Sequence, residues 1–143
     1  MLISAFPHFI IFVFAARVHA YDSTLNDVRI QCNETFPISY EYDVHLMNFG
    51  SFPDESDQTS MCFIHCVMDK TGMMDTEGTF HKKTVVEKLQ GFPNDTEIPD
   101  LEEIVEHCVT ETDQEELCER AYGFGKCLMI EEIQRHGEAQ EEE

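Results

Sequence analysis

The sequence predicts an all-α protein, a compact bundle of about six short helices. Three observations lead to this prediction. Between turn signals such as Thr71-Gly72 and Glu77-Gly78, apolar residues recur at helical spacing. No stretch alternates strictly between apolar and polar residues, as a half-buried strand would. Six cysteines in one short chain are typical of a small secreted domain that disulfides stabilise.

The amino-terminal residues 1–20, MLISAFPHFIIFVFAARVHA, predict a secretory signal peptide. The apolar run from Phe9 to Ala16 is shorter than the ~20 residues that a membrane-spanning helix needs. Val18-His19-Ala20 has the small residues of a cleavage site, although no Lys or Arg precedes the apolar run. We therefore expect a secreted, extracellular domain over residues 21–143 and no transmembrane segment elsewhere.

The chain is strongly acidic, with 29 Asp and Glu against 9 Lys and Arg and a formal net charge of −20. Nucleic acids and anionic membrane surfaces would repel such a protein, so we expect neither as a partner. The simplest interpretation of the acidic residues is solubility at high concentration. A surface that binds cations or a basic patch of a receptor is the alternative.

The clearest predicted helix runs from Pro99 to Glu111, with its apolar residues on one face and its glutamates on the other. Pro99 suits the first turn of a helix, where its missing N–H costs nothing. In the predicted last helix we expect Gly123 and Gly125 to loosen or kink the chain. The other predicted helices are a central one containing Met61–Met68, one over Glu115–Ile133, and weaker ones near Leu25–Phe36, Ser39–Phe49 and Thr79–Gln90.

The cysteines of the central helix are the most informative residues. Cys62 and Cys66 lie one helical turn apart, opposite the apolar face, so each can reach a different neighbouring helix. A bond between the two would only constrain a turn that backbone hydrogen bonds already close. The six positions, Cys32, Cys62, Cys66, Cys108, Cys118 and Cys127, allow fifteen connectivities, and spacing alone does not choose among them.

The spacing C-x29-C-x3-C-x41-C-x9-C-x8-C resembles that of the six-cysteine insect odorant-binding proteins, the pheromone- and general-odorant-binding family. The similarity includes Gly72 and Asp75-Thr76-Glu77-Gly78 after the central helix, and the run Ala121-Tyr122-Gly123-Phe124-Gly125-Lys126-Cys127. It covers essentially the whole of residues 21–143. The resemblance implies three interlocked disulfides, Cys32–Cys66, Cys62–Cys118 and Cys108–Cys127, and a helical cage around an apolar cavity.

The apolar face of the central helix and inward positions of later helices are the candidate ligand-binding residues. From the sequence alone they are more simply a filled core, and the family resemblance favours a cavity wall. The methionines suit a wall that adapts to several ligand shapes. The predicted set is Met61, Phe63, Ile64, Val67, Met68, Val85, Leu89, Ile104, Phe124, Leu128 and Met129.

Two other chemistries fit the residues less well. A zinc site at Cys62, His65 and Cys66 would need reduced cysteines and further ligands, which a secreted chain does not favour. We instead expect His65 to pair with Asp69, four residues on, at the surface. A secreted phospholipase would need an acid directly after the histidine, where this chain has Cys66. We therefore predict no catalytic residues, no metal and no cofactor.

The tail and the histidines bear on ligand release. The segment from Glu131 to Glu143 is rich in acids, so we expect an acidic tail over about residues 134–143 that stays in solvent and does not plug the cavity. Charging of His45, His81, His107 or His136 below pH ~6.5 is a hypothesis for acid-triggered release. Of two glycosylation sequons, at Asn33 and Asn94, we predict use of Asn94 because it lies in a loop.

The sequence and the resemblance together predict a carrier of small hydrophobic ligands, odorants or pheromones, in the aqueous lymph of an olfactory organ. Alternatives are a carrier of the same fold in haemolymph or reproductive fluid, and a secreted protein–protein interaction module. The expected partner is a small hydrophobic ligand; a chemoreceptor and a weak homodimer are further candidates.

Overall fold

A computed structural model describes residues 24–91 and 97–137. The predicted signal peptide and Asn94 lie outside these residues, and both remain predictions. Within the described residues the chain forms six helices and a single isolated β-bridge, between Met74 and Phe80. The helices are α1 Leu25–Thr35, α2 Tyr40–Phe49, α3 Gln58–Lys70, α4 Lys82–Leu89, α5 Leu101–Glu111 and α6 Leu117–His136.

The all-α prediction is confirmed, and the helix boundaries shift where local backbone chemistry intervenes. Helix α5 begins at Leu101 because Asp100 adopts a left-handed conformation (φ 59°) that a right-handed helix does not contain. Pro99 therefore precedes the helix and does not form its first turn. Helix α4 begins at Lys82 because the preceding chain is held by the Met74–Phe80 bridge and by the bond from His81 N to Met73 O.

Side chains cap most helix starts, satisfying N–H groups that the first turn leaves unpaired. Thr24 and Asp27 form a reciprocal capping box at α1, and Ser39 and Asp57 cap α2 and α3. The Glu116 carboxylate accepts from the backbone N–H groups of Cys118 and Glu119 at α6. These two bonds hold the Glu116 pKa below its usual value.

Helices α3 and α6 form the centre of the bundle. They pack extensively on each other. Helix α1 packs on α3, and helices α2 and α5 pack on α6. Helix α4 packs on α5. Gly50 ends α2 with φ 77° and lies so close to Ile130 of α6 that an added Cβ would stand 2.6 Å from Ile130 Cγ1. Glycine at this position therefore sets how closely α2 approaches α6.

Helix α6 continues unbroken through Gly123 and Gly125, contrary to the expected loosening. Both glycines serve close packing. A Cβ at Gly123 would stand 2.6 Å from the Gln114 amide nitrogen, and one at Gly125 would touch Ile64 and Met68 of α3 at 3.6 Å. The absent side chains let the Gln114 segment and α3 lie directly against α6.

Candidate ligand-binding cavity

A cavity of about 670 Å³, partly open to solvent, lies between the helices, and every one of the six contributes to its wall. Its size is within the ~300–1,000 Å³ typical of small-molecule sites. Most of the wall is apolar, and its central part is the face of α3 that points away from the cysteines. The apolar side chains of the wall are Leu25, Leu46, Met47, Phe63, Ile64, Val67, Met68, Met73, Leu89, Ile98, Leu101, Ile104, Leu128, Met129 and Ile133.

Most of the residues predicted from the sequence lie in this wall. They are Phe63, Ile64, Val67, Met68, Leu89, Ile104, Leu128 and Met129. Helical spacing on α3, α4, α5 and α6 identified them as inward-facing, and the family resemblance favoured a cavity wall over a filled core. That they contact a ligand remains a prediction.

Met61, Val85 and Phe124 lie elsewhere. Met61 packs in a separate cluster with Phe52 and Tyr122, on another side of α3. Val85 and Phe124 are fully buried in the solid core, where the Phe124 ring stacks on Phe80 with centroids 4.1 Å apart. The structure thus corrects their assignment to the cavity wall: their neighbours are other side chains.

Three disulfides join four of the helices that form the wall, and they confirm the implied pairing. Cys32–Cys66 joins α1 to α3, Cys62–Cys118 joins α3 to α6, and Cys108–Cys127 joins α5 to α6, with S–S distances of 2.10, 2.05 and 2.01 Å. All six cysteines are consumed, so Cys62 and Cys66 have no thiolate to offer a metal ion.

Comparison with known proteins agrees with the cysteine pattern and the fold. The profile of the PBP/GOBP family matches residues 15–131, most of the chain. The chain belongs to the PBP/GOBP family. Two curated relatives from Drosophila melanogaster are 30% identical to it: general odorant-binding protein 84a over 72% of this chain, and general odorant-binding protein 99b over 77%.

These alignments cover unequal shares of the relatives. The chain spans 55% of the length of protein 84a and 73% of that of protein 99b. A crystal structure of an odorant binding protein from Locusta migratoria matches with a TM-score of 0.57 and 17% identity, covering 82% of this chain and 83% of that one. The structural match shows a shared fold.

Polar side chains occupy limited parts of the wall in this PBP/GOBP protein. Arg29 of α1 and Asp43 of α2 form a partly buried ion pair that bridges the two helices. Asn48, Glu132 and His136 also line the cavity. Sequence reasoning missed all five as wall residues, because polar and charged side chains are ordinarily solvent-exposed.

The carboxyl-terminal part of α6 requires a correction to the expected solvent-exposed tail. Helix α6 extends to His136, and Glu132, Ile133 and His136 line the cavity. These three residues are therefore part of the cavity wall and not of a solvent-exposed tail. The reason is that α6 continues three residues past its predicted end at Ile133. Residues 138–143 lie outside the described residues.

The histidines proposed for acid-triggered release have different surroundings. His136 lines the cavity and its Nε2 lies 3.2 Å from the carbonyl of Pro99. His107 pairs with Glu131 at 3.3 Å, His81 with Asp75 at 3.2 Å, and His45 contacts the carbonyl of Ser51 at 2.6 Å. Of these four histidines, only His136 lies in the wall. Acid-triggered release remains a hypothesis, and His136 is the histidine placed to act on a ligand directly.

His65 does not form the expected surface pair with Asp69. Its Nε2 atom is buried and has no hydrogen-bond partner among the described residues. The Cys62–Cys118 disulfide joins this part of α3 to the start of α6, where the Glu116 carboxylate interacts electrostatically with His65.

A buried tyrosine fixes the loop between α2 and α3 to α6. The Phe52 N–H donates to the Tyr122 hydroxyl at 3.0 Å, and that hydroxyl donates to Glu55 at 2.7 Å. Lys126 also donates a hydrogen bond to Glu55. The bonds from Lys126 and Tyr122 hold the Glu55 pKa below its usual value, and the bond from Lys126 has the larger effect. Burial raises the Tyr122 pKa, so the hydroxyl keeps its proton.

Proposed function

We propose that this protein is a secreted carrier that takes small hydrophobic molecules, odorants or pheromones, into the internal cavity and moves them through an aqueous fluid. The observation that carries the proposal is the 670 Å³ apolar cavity inside a bundle of the PBP/GOBP fold. The names of the two fly relatives agree with odorant binding. The predicted signal peptide over residues 1–20 supports secretion.

The chemistry of the wall fits reversible binding, not catalysis. Four methionines line the cavity, Met47, Met68, Met73 and Met129, and their unbranched side chains can adapt to different ligand shapes. Burying ~300 Å² of apolar ligand surface would contribute about 7–8 kcal/mol before ordering costs. Those costs leave an expected dissociation constant in the micromolar range.

The test is displacement of a fluorescent apolar probe, N-phenyl-1-naphthylamine, by long-chain alcohols and esters. We expect uptake of one probe per chain and its displacement at micromolar competitor. A matched pair of variants locates the site. In Gly125→Phe the ring takes up space at the cavity wall, beside Ile64 and Met68, which stand 3.6 Å from the Cβ position. Gln134→Phe places the same ring on the exposed side of α6.

We expect Gly125→Phe to weaken probe binding by about tenfold or more, since lost cavity space removes contact area, and Gln134→Phe to leave binding unchanged. Absence of probe uptake by the wild-type protein would refute the carrier function. Equal effects of the two variants would refute this cavity as the site.

A further inference from the structure

Two of the polar side chains in the cavity wall are carboxylates, those of Asp43 and Glu132. Arg29 is the only Lys or Arg in the wall as far as the chain is described, and its guanidinium is paired with the Asp43 carboxylate. The positive charge of Arg29 is thereby compensated before any ligand enters. Asp43 and Glu132 supply carboxylate oxygens, which only accept hydrogen bonds when ionised.

Glu132 is the decisive residue. It lies on α6 within the cavity wall, half-buried, and within the described ranges it has neither an ion pair nor a hydrogen bond. Other glutamates near the same end of the bundle are paired, Glu131 with His107 and Arg135, and Glu103 with Arg135. Glu132 thus adds a carboxylate without a cationic partner to a wall whose other carboxylate, that of Asp43, is paired with Arg29.

His136 lies one helical turn beyond Glu132, and its ring contacts the backbone just before the start of α5. A carbonyl oxygen can only accept a hydrogen bond, so the contact between His136 Nε2 and Pro99 O places the ring proton on Nε2. Glu132 and His136 are on the same side of α6, four residues apart.

We propose that this cavity selects ligands whose polar end donates a hydrogen bond, as a primary alcohol does, and discriminates against carboxylates of the same chain length. The proposal rests on the carrier function proposed above. A hydroxyl can donate to Glu132, whereas an ester has only acceptors to offer. A carboxylate would place a second negative charge beside Glu132, and like charges repel.

The experiment compares 1-dodecanol, methyl dodecanoate and dodecanoate as competitors for the probe at about pH 7.5, where the acid is ionised. A hydrogen bond to a charged acceptor favours the alcohol over the ester by about tenfold. Repulsion from Glu132 weakens the acid by about tenfold more than the ester. The expected order of affinity is therefore alcohol, ester, acid.

A charge-removing variant and a matched control test the assignment to Glu132. Glu132→Gln keeps the size and an acceptor oxygen, so we expect dodecanoate to gain about threefold or more in affinity and the gap between alcohol and acid to narrow. Glu111→Gln removes the same charge from an exposed position outside the cavity wall. This control should leave the order and the gap unchanged.

The outcomes separate the selectivity from the carrier function. If dodecanoate binds as tightly as the alcohol, or the ester equals the alcohol, the selectivity is refuted while the carrier function stands. If the gap narrows equally in Glu111→Gln, the discrimination comes from the overall charge and the role of Glu132 is refuted. If none of the three ligands displaces the probe, the carrier function fails together with the selectivity.

Discussion

Replacing Gly125 with alanine tests the packing of α6 against α3 at the cavity wall. Gly125 lies within α6, where glycine costs about 1 kcal/mol relative to alanine. The added methyl would touch Ile64 Cγ2 and Met68 Cε at 3.6 Å, an ordinary contact distance. Burying one such carbon fully is worth about 0.8 kcal/mol, and less here because the position faces the cavity. We expect a total stabilisation of about 1–1.5 kcal/mol.

Gly123→Ala is the matched control, two residues earlier in the same helix. It gains the same helix preference, but its methyl would lie 2.6 Å from Gln114 Nε2 and 2.8 Å from Gln114 Cδ. The Gln114 amide would have to move to make room for this methyl. Its Oε1 atom is already buried without a hydrogen-bond partner among the described residues. We therefore expect Gly123→Ala to stabilise the protein less than Gly125→Ala, or to destabilise it.

The assay is equilibrium urea unfolding of the oxidised protein, followed by circular dichroism, with a thermal scan in parallel. For a domain of this size the gain for Gly125→Ala corresponds to a rise in Tm of roughly 3–6 °C. No gain for Gly125→Ala would mean that α3 and α6 are closer than the structure shows. An equal gain for Gly123→Ala would refute the close contact with Gln114.

Three further predictions concern the bonds that hold the bundle together. Tyr122→Phe leaves the buried Phe52 N–H without its acceptor and should cost about 1–3 kcal/mol in urea unfolding, whereas no loss would mean that water replaces the hydroxyl. The folded-state pKa of Glu55 lies below its ordinary 4.5, so its contribution to stability is present above pH 4.5 and is lost as pH falls through the folded value. Acid titration of unfolding should therefore be shallower for Glu55→Gln, and an unchanged profile would contradict this. A double serine substitution removes the Cys108–Cys127 bond, which spans 19 positions. We expect it to lower the free energy of unfolding by about 3 kcal/mol, because the unfolded chain gains the entropy of the opened loop. A loss under about 1 kcal/mol would contradict this account.

The helices could be predicted because their apolar spacing reflects burial on one side, which is a local property of the sequence. Their ends were less predictable, because they depend on individual backbone conformations. The positive φ of Asp100 delays α5, and the Met74–Phe80 bridge delays α4. Neither feature leaves a periodic pattern in the sequence.

The cavity was predictable only in part, because helical spacing shows which residues face inward but not whether they face a space or another side chain. Phe63 and Phe124 are both inward-facing aromatics on central helices. The first lines the cavity and the second stacks on Phe80 in the solid core. The wall from α2 was missed for a different reason: no residue of α2 is fully buried, so Leu46 and Met47 gave no clear signal.

The disulfides divide the cavity wall into two parts with different constraints. The bonds Cys32–Cys66, Cys62–Cys118 and Cys108–Cys127 tie α1, α3, α5 and α6 into one covalent frame. Helices α2 and α4 contain no cysteine, yet Leu46, Met47 and Leu89 line the cavity. Helix α2 packs on α6 and α4 packs on α5, and an ion pair adds to each attachment. Such non-covalent contacts open at a lower free-energy cost than breaking a disulfide requires. We therefore expect the frame to resist collapse of the cavity, and any change in the shape of the cavity to fall chiefly on α2 and α4.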